Sequence, residues 1–262
     1  MAAGRINVYF VVGGRYHDFD FARLEILKLL SEHERLRVRV AESYADIAAI
    51  AASDALVTYT CDVCPEPHQQ ERLAEFVASG RRWLALHGTN SLLEWTPDGK
   101  VDAPDSMPLL TRVLGSRFIA HPPLGELEVR VSEPSHPLVR GIGAFTVTDE
   151  LYLSELYGPN RVLLETRYNG KAAREFVRRE WLSDEPRPVL YLHGHGAGEV
   201  LYLTLGHCRG RYDMRPLMEE YPRVERCSWE SPVYYELLRR GIRWMARLEE
   251  RGGQDARGGG PP

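Results

Sequence analysis

Apolar residues recur along the first third of the chain with two alternating patterns, one typical of strands and one typical of helices. Strands are predicted at Ile6 to Val12, Leu36 to Ala41, Ala55 to Thr60 and the run that ends at His87. Helices are predicted between them, at Phe19 to Leu30, Tyr44 to Ala52 and Pro67 to Ser79. Strands that alternate with helices indicate a mostly parallel sheet with helices on both faces. We therefore expect an α/β fold of the flavodoxin-like or Rossmann-like kind.

The pattern changes after Leu92. Residues Thr96 to Pro108 are rich in Pro, Asp and Gly and predict a long loop. In two segments, Glu126 to Val131 and Leu151 to Ser154, apolar and polar residues alternate in the way that is typical of half-buried antiparallel strands. The sheet is therefore expected to gain an antiparallel extension.

The last third of the chain predicts a hairpin and a closing helix. Strands at Val189 to Leu192 and Val200 to Thr204 flank the glycine-rich segment Gly194 to Gly198, which favours a tight hairpin. The closing helix is predicted from Pro232 to Glu250. Its apolar residues form one stripe, which is expected to pack on the sheet and would favour a homodimer if it were exposed: Tyr235, Leu238, Ile242 and Met245.

Length and composition favour one domain over residues 1–250, followed by a Gly- and Pro-rich tail, residues 251–262, that is expected to be disordered. A net charge of −4 and a pI near 6.2 argue against a nucleic-acid partner. The first apolar run, about seven residues, is too short for a signal peptide or a membrane span. We expect a cytoplasmic protein without a membrane partner, whose four cysteines remain thiols.

Histidines follow several of the predicted strands. His87 ends an apolar run and precedes a glycine, and His17, His193, His195 and His207 also come shortly after strands. Ligands of open α/β sheets bind outside the carboxyl ends of strands. Because imidazole binds metals and transfers protons near neutral pH, His17, His87, His193 and His207 are the candidate ligands of a divalent metal such as zinc or manganese. The alternative is that each histidine hydrogen-bonds a loop carbonyl.

Other motifs give weaker signals. Cys61 and Cys64 have the spacing of a redox or zinc half-site, but no second pair completes a zinc site, so buried or loop thiols are the alternative. Acidic candidates are Asp18, Asp149 and Glu150, each of which could orient a histidine or be a solvated side chain. The sequence lacks a G-x-S-x-G elbow, a G-x-G-x-x-G fingerprint and a P-loop lysine, so no nucleotide cofactor is predicted.

Several short motifs together resemble the ThuA-like (trehalose utilisation) family, from about residue 6 to 248. They are Gly14 to Asp18, Leu86 to Gly88, Ser135 to Leu138, Thr148 to Tyr152, Gly198 to Tyr202, Leu205 to His207 and Arg240 to Trp244. The resemblance implies a class I glutamine amidotransferase-like fold, a flavodoxin-type sheet with extra strands, and a role in the metabolism of trehalose or related disaccharides and oxidised sugars. It also implies that His87 stands where amidotransferases carry the nucleophilic cysteine. Glutamine hydrolysis is therefore not expected.

These observations lead to three hypotheses. In the preferred one the protein is a carbohydrate enzyme, a hydrolase, lyase or isomerase, whose catalytic residues are His17, His87, Glu150 and His207. Its sugar would contact Thr89, Asn90, Trp95, His121 and Tyr152. A non-catalytic sugar-binding or regulatory module is the competing hypothesis. The third is a hydrolase that activates water on a metal ion.

Overall fold

A sheet of nine strands forms the centre of the computed structural model, which describes residues 4–248. The strands are β1 Ile6–Gly14, β2 Leu36–Ala41, β3 Ala55–Cys61, β4 Arg82–Leu86, β5 Glu94–Trp95, β6 Val101–Asp102, β7 Ser116–Ala120, β8 Gly125–Val131, β9 Phe145–Asp149, β10 Leu153–Leu156, β11 Asn160–Arg167, β12 Gly170–Lys171, β13 Glu180–Trp181, β14 Pro186–His195 and β15 Gly198–Leu203. The α-helices are α1 Phe19–Ser31, α2 Ile47–Ala51, α3 Pro67–Ala78, α4 Pro108–Leu114 and α5 Pro232–Met245. Short 3₁₀ turns span His87–Asn90 and Cys227–Glu230.

The central sheet has the strand order β2-β1-β3-β4-β15-β14-β11-β8-β9. Its first five strands are parallel, and the last four pair antiparallel with their neighbours. The predicted α/β fold, with a mostly parallel sheet and an antiparallel extension, is confirmed. Because β1, β3, β4 and β15 run the same way, their carboxyl ends lie along one edge.

Helices cover both faces of this sheet, as the apolar pattern predicts. Apolar residues of α1 and α5 pack on one face, among them Ile26 and Ile242. The other face carries α2, α3 and α4, with Leu73 and Leu110 in its core. Side chains of β1 alternate between these two cores, as expected for a strand that is buried on both sides.

Local signals fix the bounds of several helices. Asp18 caps α1 by accepting a hydrogen bond from the backbone N–H of Phe21 at 3.1 Å. Pro67 occupies the first turn of α3, where its missing N–H costs nothing, and Glu66 completes a capping box there. Gly115, with φ +77°, ends α4 in the left-handed conformation.

The structure corrects several predicted elements. Residues Leu151 to Ser154 do not extend the main sheet, because β10 starts at Leu153 and pairs with β7 in a separate two-stranded sheet. The predicted loop at Thr96 to Pro108 contains β6, which pairs with β5, and its last residue begins α4. The apolar stripe of α5 packs on the sheet as predicted, so this stripe gives no support for a homodimer.

Some predictions lie at or beyond the described residues. The closing helix ends at Met245 in the structure, and the tail at 251–262 and the last residues predicted for the helix lie outside the described part of the chain. Within residues 4–248, no helix is both long and apolar enough to cross a bilayer.

Candidate metal centre

Three histidines meet at the carboxyl edge of the parallel strands. His17 follows β1, His87 follows β4 directly, and His207 follows β15. Glu150, the residue after β9, joins them, and one potential ligand atom from each of these four residues lies within 4.8 Å of the other three. We call His17, His87, Glu150 and His207 the His/Glu cluster. All four are buried, with at most 5% of each residue exposed.

The distances within the His/Glu cluster are short. His17 Nε2 lies 2.9 Å from His87 Nε2, and Glu150 Oε2 lies 3.7 Å from His87 Nε2 and 3.2 Å from His207 Nδ1. Two ligand atoms that each bond one zinc ion at about 2.1 Å can be separated by no more than about 4.2 Å. These three distances satisfy that limit, whereas the outer separation of 4.8 Å among the four atoms exceeds it, so the side chains would have to close by a few tenths of an ångström around a single small cation.

His87 is held in an unusual backbone conformation. Its φ is +43°, which is uncommon for a residue with a side chain and costs about 1–2 kcal/mol. Tyr202 Oη donates a hydrogen bond to the His87 carbonyl at 2.6 Å and accepts one from the Asn90 N–H at 3.0 Å, and these two bonds stabilise the turn. Gly88 has no room for a side chain, because a Cβ there would lie 2.5 Å from the Thr60 carbonyl oxygen. The strained turn points His87 into the cluster.

Backbone carbonyls fix the tautomers of two histidines. His87 Nδ1 lies 2.8 Å from the Thr204 carbonyl oxygen, and His17 Nδ1 lies 3.1 Å from that of Arg15. A carbonyl only accepts, so each Nδ1 carries the proton and donates it. In the neutral rings both Nε2 atoms therefore present lone pairs to each other. Such an arrangement is typical of histidines that ligate a metal and donate their other N–H to a carbonyl.

Burial keeps these two histidines neutral. It lowers the pKa of His87 to about 3, and it lowers the pKa of His17 well below its ordinary value. A neutral imidazole is the form that binds metal. The lowered pKa values therefore favour a pair of neutral rings whose facing Nε2 atoms can bind a cation.

His207 and Glu150 carry opposite charges. Burial alone would lower the pKa of His207, but Glu150 and Glu225 outweigh burial and raise it to about 9. Burial opposes ionisation of Glu150 as well, but His121, His207 and Arg209 together hold its pKa well below the ordinary value. His207 Nδ1 faces the Glu150 carboxylate without a well-aligned hydrogen bond. This poorly satisfied, buried nitrogen is a further sign that a ligand belongs at the cluster.

A second layer of side chains supports His207. Its Nε2 lies 3.0 Å from Glu225 Oε2, which also accepts from Arg209 Nη1 at 3.1 Å. Tyr221 Oη donates to the other carboxylate oxygen of Glu225 at 3.1 Å. Carboxylates in this position orient a ligating histidine and raise its basicity. The sequence reasoning missed Glu225, because it lies in an irregular segment without a strand-end signal.

A cavity of about 250 Å³ opens onto the cluster at His17 and Glu150. Aromatic rings form much of its wall: Tyr16, Trp95, Phe118, Tyr152, Phe176 and Tyr221. Tyr152 Oη lies 3.3 Å from His87 Nε2, and His121 Nε2 lies 3.6 Å from Glu150 Oε1. Three of the predicted sugar contacts, Trp95, His121 and Tyr152, therefore line this cavity.

The other two predicted sugar contacts do not reach the cavity. Thr89 Oγ1 donates to the Leu86 carbonyl at 2.8 Å, and Asn90 Nδ2 donates to Ser116 Oγ at 2.7 Å. Both residues are buried, and neither is among those that line the cavity. The 3₁₀ turn after β4 directs them into the interior, so their role is to hold the turn.

The structure does not bring His193, the fourth candidate ligand, to the His/Glu cluster. It lies near the end of β14, which runs antiparallel to β15, so it sits at the opposite edge of the sheet from His87 and His207. Its Nδ1 contacts Asn160 Oδ1 at 2.8 Å. His195, two residues further along β14, lies at that opposite edge as well.

The remaining acidic candidates, Asp149 and Asp18, have local structural roles. The Asp149 carboxylate accepts hydrogen bonds from the backbone N–H groups of Gly206 and His207 at 2.8 and 3.1 Å, so it positions the turn that carries His207. Asp18 caps α1. Cys61 and Cys64 are free thiols, and Cys61 lines the cavity, where burial raises its pKa well above the ordinary value.

The fold and the cluster together define an α/β protein with a buried histidine and glutamate site at the carboxyl edge of its parallel strands. Residues 7–220 match the ThuA family, described as trehalose utilisation, and the chain belongs to that family. A search of curated proteins gave no match.

Solved structures of similar fold agree with the family. A protein from Bacteroides uniformis described as ThuA-like has a TM-score of 0.66 and 14% identity, over 94% of this chain and 93% of that one. A second ThuA-like protein, from Parabacteroides merdae, has a TM-score of 0.64 and 15% identity, over 92% and 90% of the two chains. A protein from Salmonella typhimurium described as cytoplasmic has a TM-score of 0.52 and 13% identity, over 94% and 99%. At these identities the likeness shows the fold alone.

Proposed function

We propose that this ThuA family protein is an enzyme of carbohydrate metabolism whose active site is the His/Glu cluster, holding one divalent metal ion. The observation that carries the proposal is the pair of facing Nε2 atoms of His17 and His87, 2.9 Å apart, each with its other nitrogen bound to a carbonyl. Two lone pairs at that distance repel one another, and a cation that binds both nitrogens from one side would relieve this repulsion. Three imidazole nitrogens and one carboxylate oxygen suit zinc, manganese or iron.

The cavity beside the cluster supports a sugar as the substrate. Aromatic rings such as Trp95 and Phe176 can pack against the apolar C–H faces of a sugar ring. His121 is partly exposed to the cavity and lies 3.6 Å from Glu150. The family description, trehalose utilisation, points to the same class of compound.

The residues around the cavity suit proton transfer on a sugar. A bound metal would polarise a carbonyl or hydroxyl oxygen of the sugar and so acidify the neighbouring proton. His121 lines the cavity and could accept or donate that proton, and its Nε2 lies 3.6 Å from Glu150 Oε1. Tyr152 could hydrogen-bond a sugar oxygen, since its hydroxyl lies between the cavity and His87. Such chemistry serves a hydrolase, lyase or isomerase that acts on a keto-sugar.

Elemental analysis of the purified, untagged protein tests the metal site. We expect about one equivalent of zinc, manganese or iron in the parent and a large loss in His87→Ala and His207→Ala. His193→Ala is the matched control, because it removes a strand-end histidine from the other edge of the sheet and should leave the metal content unchanged. A parent that binds no metal after supplementation would overturn the metal site.

A second experiment tests the reaction. Trehalose and its keto derivatives would be incubated with metal-loaded protein and followed by NMR. We expect turnover of one of these sugars by the parent and a rate loss of about 10²-fold or more in His121→Ala. Sugar binding without turnover would favour the alternative, a non-catalytic sugar-binding module, and would reject the enzyme.

A cytoplasmic location stays part of the proposal, in line with the Salmonella protein of similar fold.

A further inference from the structure

A second and larger cavity, of about 550 Å³, lies beside the first. The two cavities share one wall residue, Tyr152. The inner end of the second cavity is formed by Tyr152, Tyr191 and Thr204, and its outer part by the segment from Arg178 to Pro188. None of its lining residues belongs to the His/Glu cluster.

Arg187, on β14, lines this cavity as a buried cation without a matching anion. Only 9% of the residue is exposed. Its Nη2 donates to the Ser183 hydroxyl at 3.0 Å, and its guanidinium lies 5.4 Å from the centre of the Trp181 ring. Its Nε is buried without a hydrogen-bond partner, and within residues 4–248 it forms no ion pair with a carboxylate. A guanidinium stays protonated in proteins, so the positive charge remains.

Most other charged side chains of the cavity are already paired. Arg178 lies 2.9 Å from Glu155, which also pairs with Arg117 at 2.9 Å. Glu180 lies 3.9 Å from Lys171 outside the cavity. Glu185 is exposed and accepts a hydrogen bond from the Ser183 hydroxyl at 3.3 Å. Its carboxylate is too far from Arg187 for an ion pair. Among the described residues, two charges on the cavity wall therefore have no ion-pair partner, those of the buried Arg187 and the exposed Glu185, and the Glu185 carboxylate acts on the Arg187 guanidinium only from beyond ion-pair distance.

A neutral donor lies in the same cavity. Ser154 Oγ is buried and has no hydrogen-bond partner in the structure. Buried polar groups are normally hydrogen-bonded, and buried charges are normally paired. An unpaired guanidinium and an unpaired hydroxyl on the wall of one cavity favour a ligand that has acceptor oxygens.

We propose that this second cavity binds a small oxyanion, the carboxylate or phosphate group of a metabolite, through Arg187. The planar guanidinium offers its donors in a fork that matches two oxygens of such a group. Ser154 supplies a further hydroxyl donor, and the Trp181 ring packs against the guanidinium from one face.

Calorimetric titration of the full chain with inorganic phosphate, and separately with acetate, tests this proposal at constant ionic strength in chloride. We expect saturable binding of at least one of the two anions at one site per chain. Arg187→Gln should weaken it roughly tenfold or more, because charge-assisted hydrogen bonds are lost. The matched control is Arg167→Gln, which removes an exposed arginine of the neighbouring strand that binds only the Asp184 carbonyl.

Two further measurements separate this site from the cluster and from a structural role. Binding should persist in His87→Ala, whereas loss there with retention in Arg187→Gln would place the anion at the cluster and overturn the proposal. In chloride alone, Arg187→Gln should unfold at the same temperature as the parent or higher, since it removes an unpaired buried charge. A strongly destabilised or unfolded variant, or a parent that binds neither anion, would also overturn the proposal.

Discussion

The carboxylate of Glu225 offers a sharp test of how the candidate metal centre is built. Glu225→Gln keeps the shape of the side chain but removes the charge that faces His207 Nε2 at 3.0 Å and Arg209 Nη1 at 3.1 Å. The His207 ring would then be a weaker base and a less firmly oriented ligand. Losing such a supporting carboxylate typically costs 10- to 100-fold in metal affinity, or about 1.4–2.8 kcal/mol. Only about 5% of the Glu225 side chain is exposed, so solvent does little to reduce this effect.

Competition with a chromophoric zinc chelator, corrected for the proton that His207 loses on binding, would measure the affinity of Glu225→Gln against the parent. Glu220→Gln is the matched control, since that side chain lies in the same segment, is half exposed and pairs with Arg211. Circular dichroism would confirm that both variants keep the fold. A zinc affinity of Glu225→Gln within twofold of the parent, or an equal loss in Glu220→Gln, would refute the supporting role of this carboxylate.

Three further predictions follow from the same geometry. In metal-free protein the pKa of His207 is raised to about 9, above its unfolded value near 6.5. Protonated His207 therefore contributes fully to the free energy of unfolding below about pH 6.5, and this contribution is lost as pH rises through about 9. Zinc affinity should accordingly rise about tenfold per pH unit between about 7 and 9, with about one proton released in calorimetry, and a flat profile would contradict this. Tyr202→Phe should lower the free energy of unfolding in urea by about 1–3 kcal/mol, because the Asn90 N–H loses its buried partner. Gly88→Ala should cost about 2 kcal/mol or more and lose metal, whereas Gly143→Ala, which has open space around it, should do neither; equal effects would refute the steric argument.

Much of the site could be predicted from where strands end. His17, His87 and His207 each follow a parallel strand, and parallel strands share one edge, so their meeting follows from the topology. His193 also follows a strand, but that strand is the first arm of the hairpin at Gly194 to Gly198. The predicted hairpin already implied that this strand runs opposite to the parallel strands. That direction places His193 at the other edge of the sheet, away from the candidate metal ligands.

Other parts of the structure had no clear sequence signal. Strands β7, β9 and β11 were not predicted, because short or irregularly alternating runs such as Ser116 to Ala120 resemble loops as closely as strands. Thr89 and Asn90 were assigned to the ligand because they follow His87, but the direction in which a turn points its side chains depends on its backbone angles. Glu225 and Arg209 reach His207 through tertiary contacts that periodicity does not encode.

The four members of the His/Glu cluster come from widely separated parts of the chain, from residue 17 to residue 207. They can meet only after the parallel half of the sheet and the segment that ends β9 have both been assembled. Contacts of such long sequence separation are expected to form late in folding, because loop closure must precede them. A ligand bound at the cluster would therefore recognise only the completed sheet, and at a concentration 1,000 times its Kd it would add about 4 kcal/mol to the stability of that state alone.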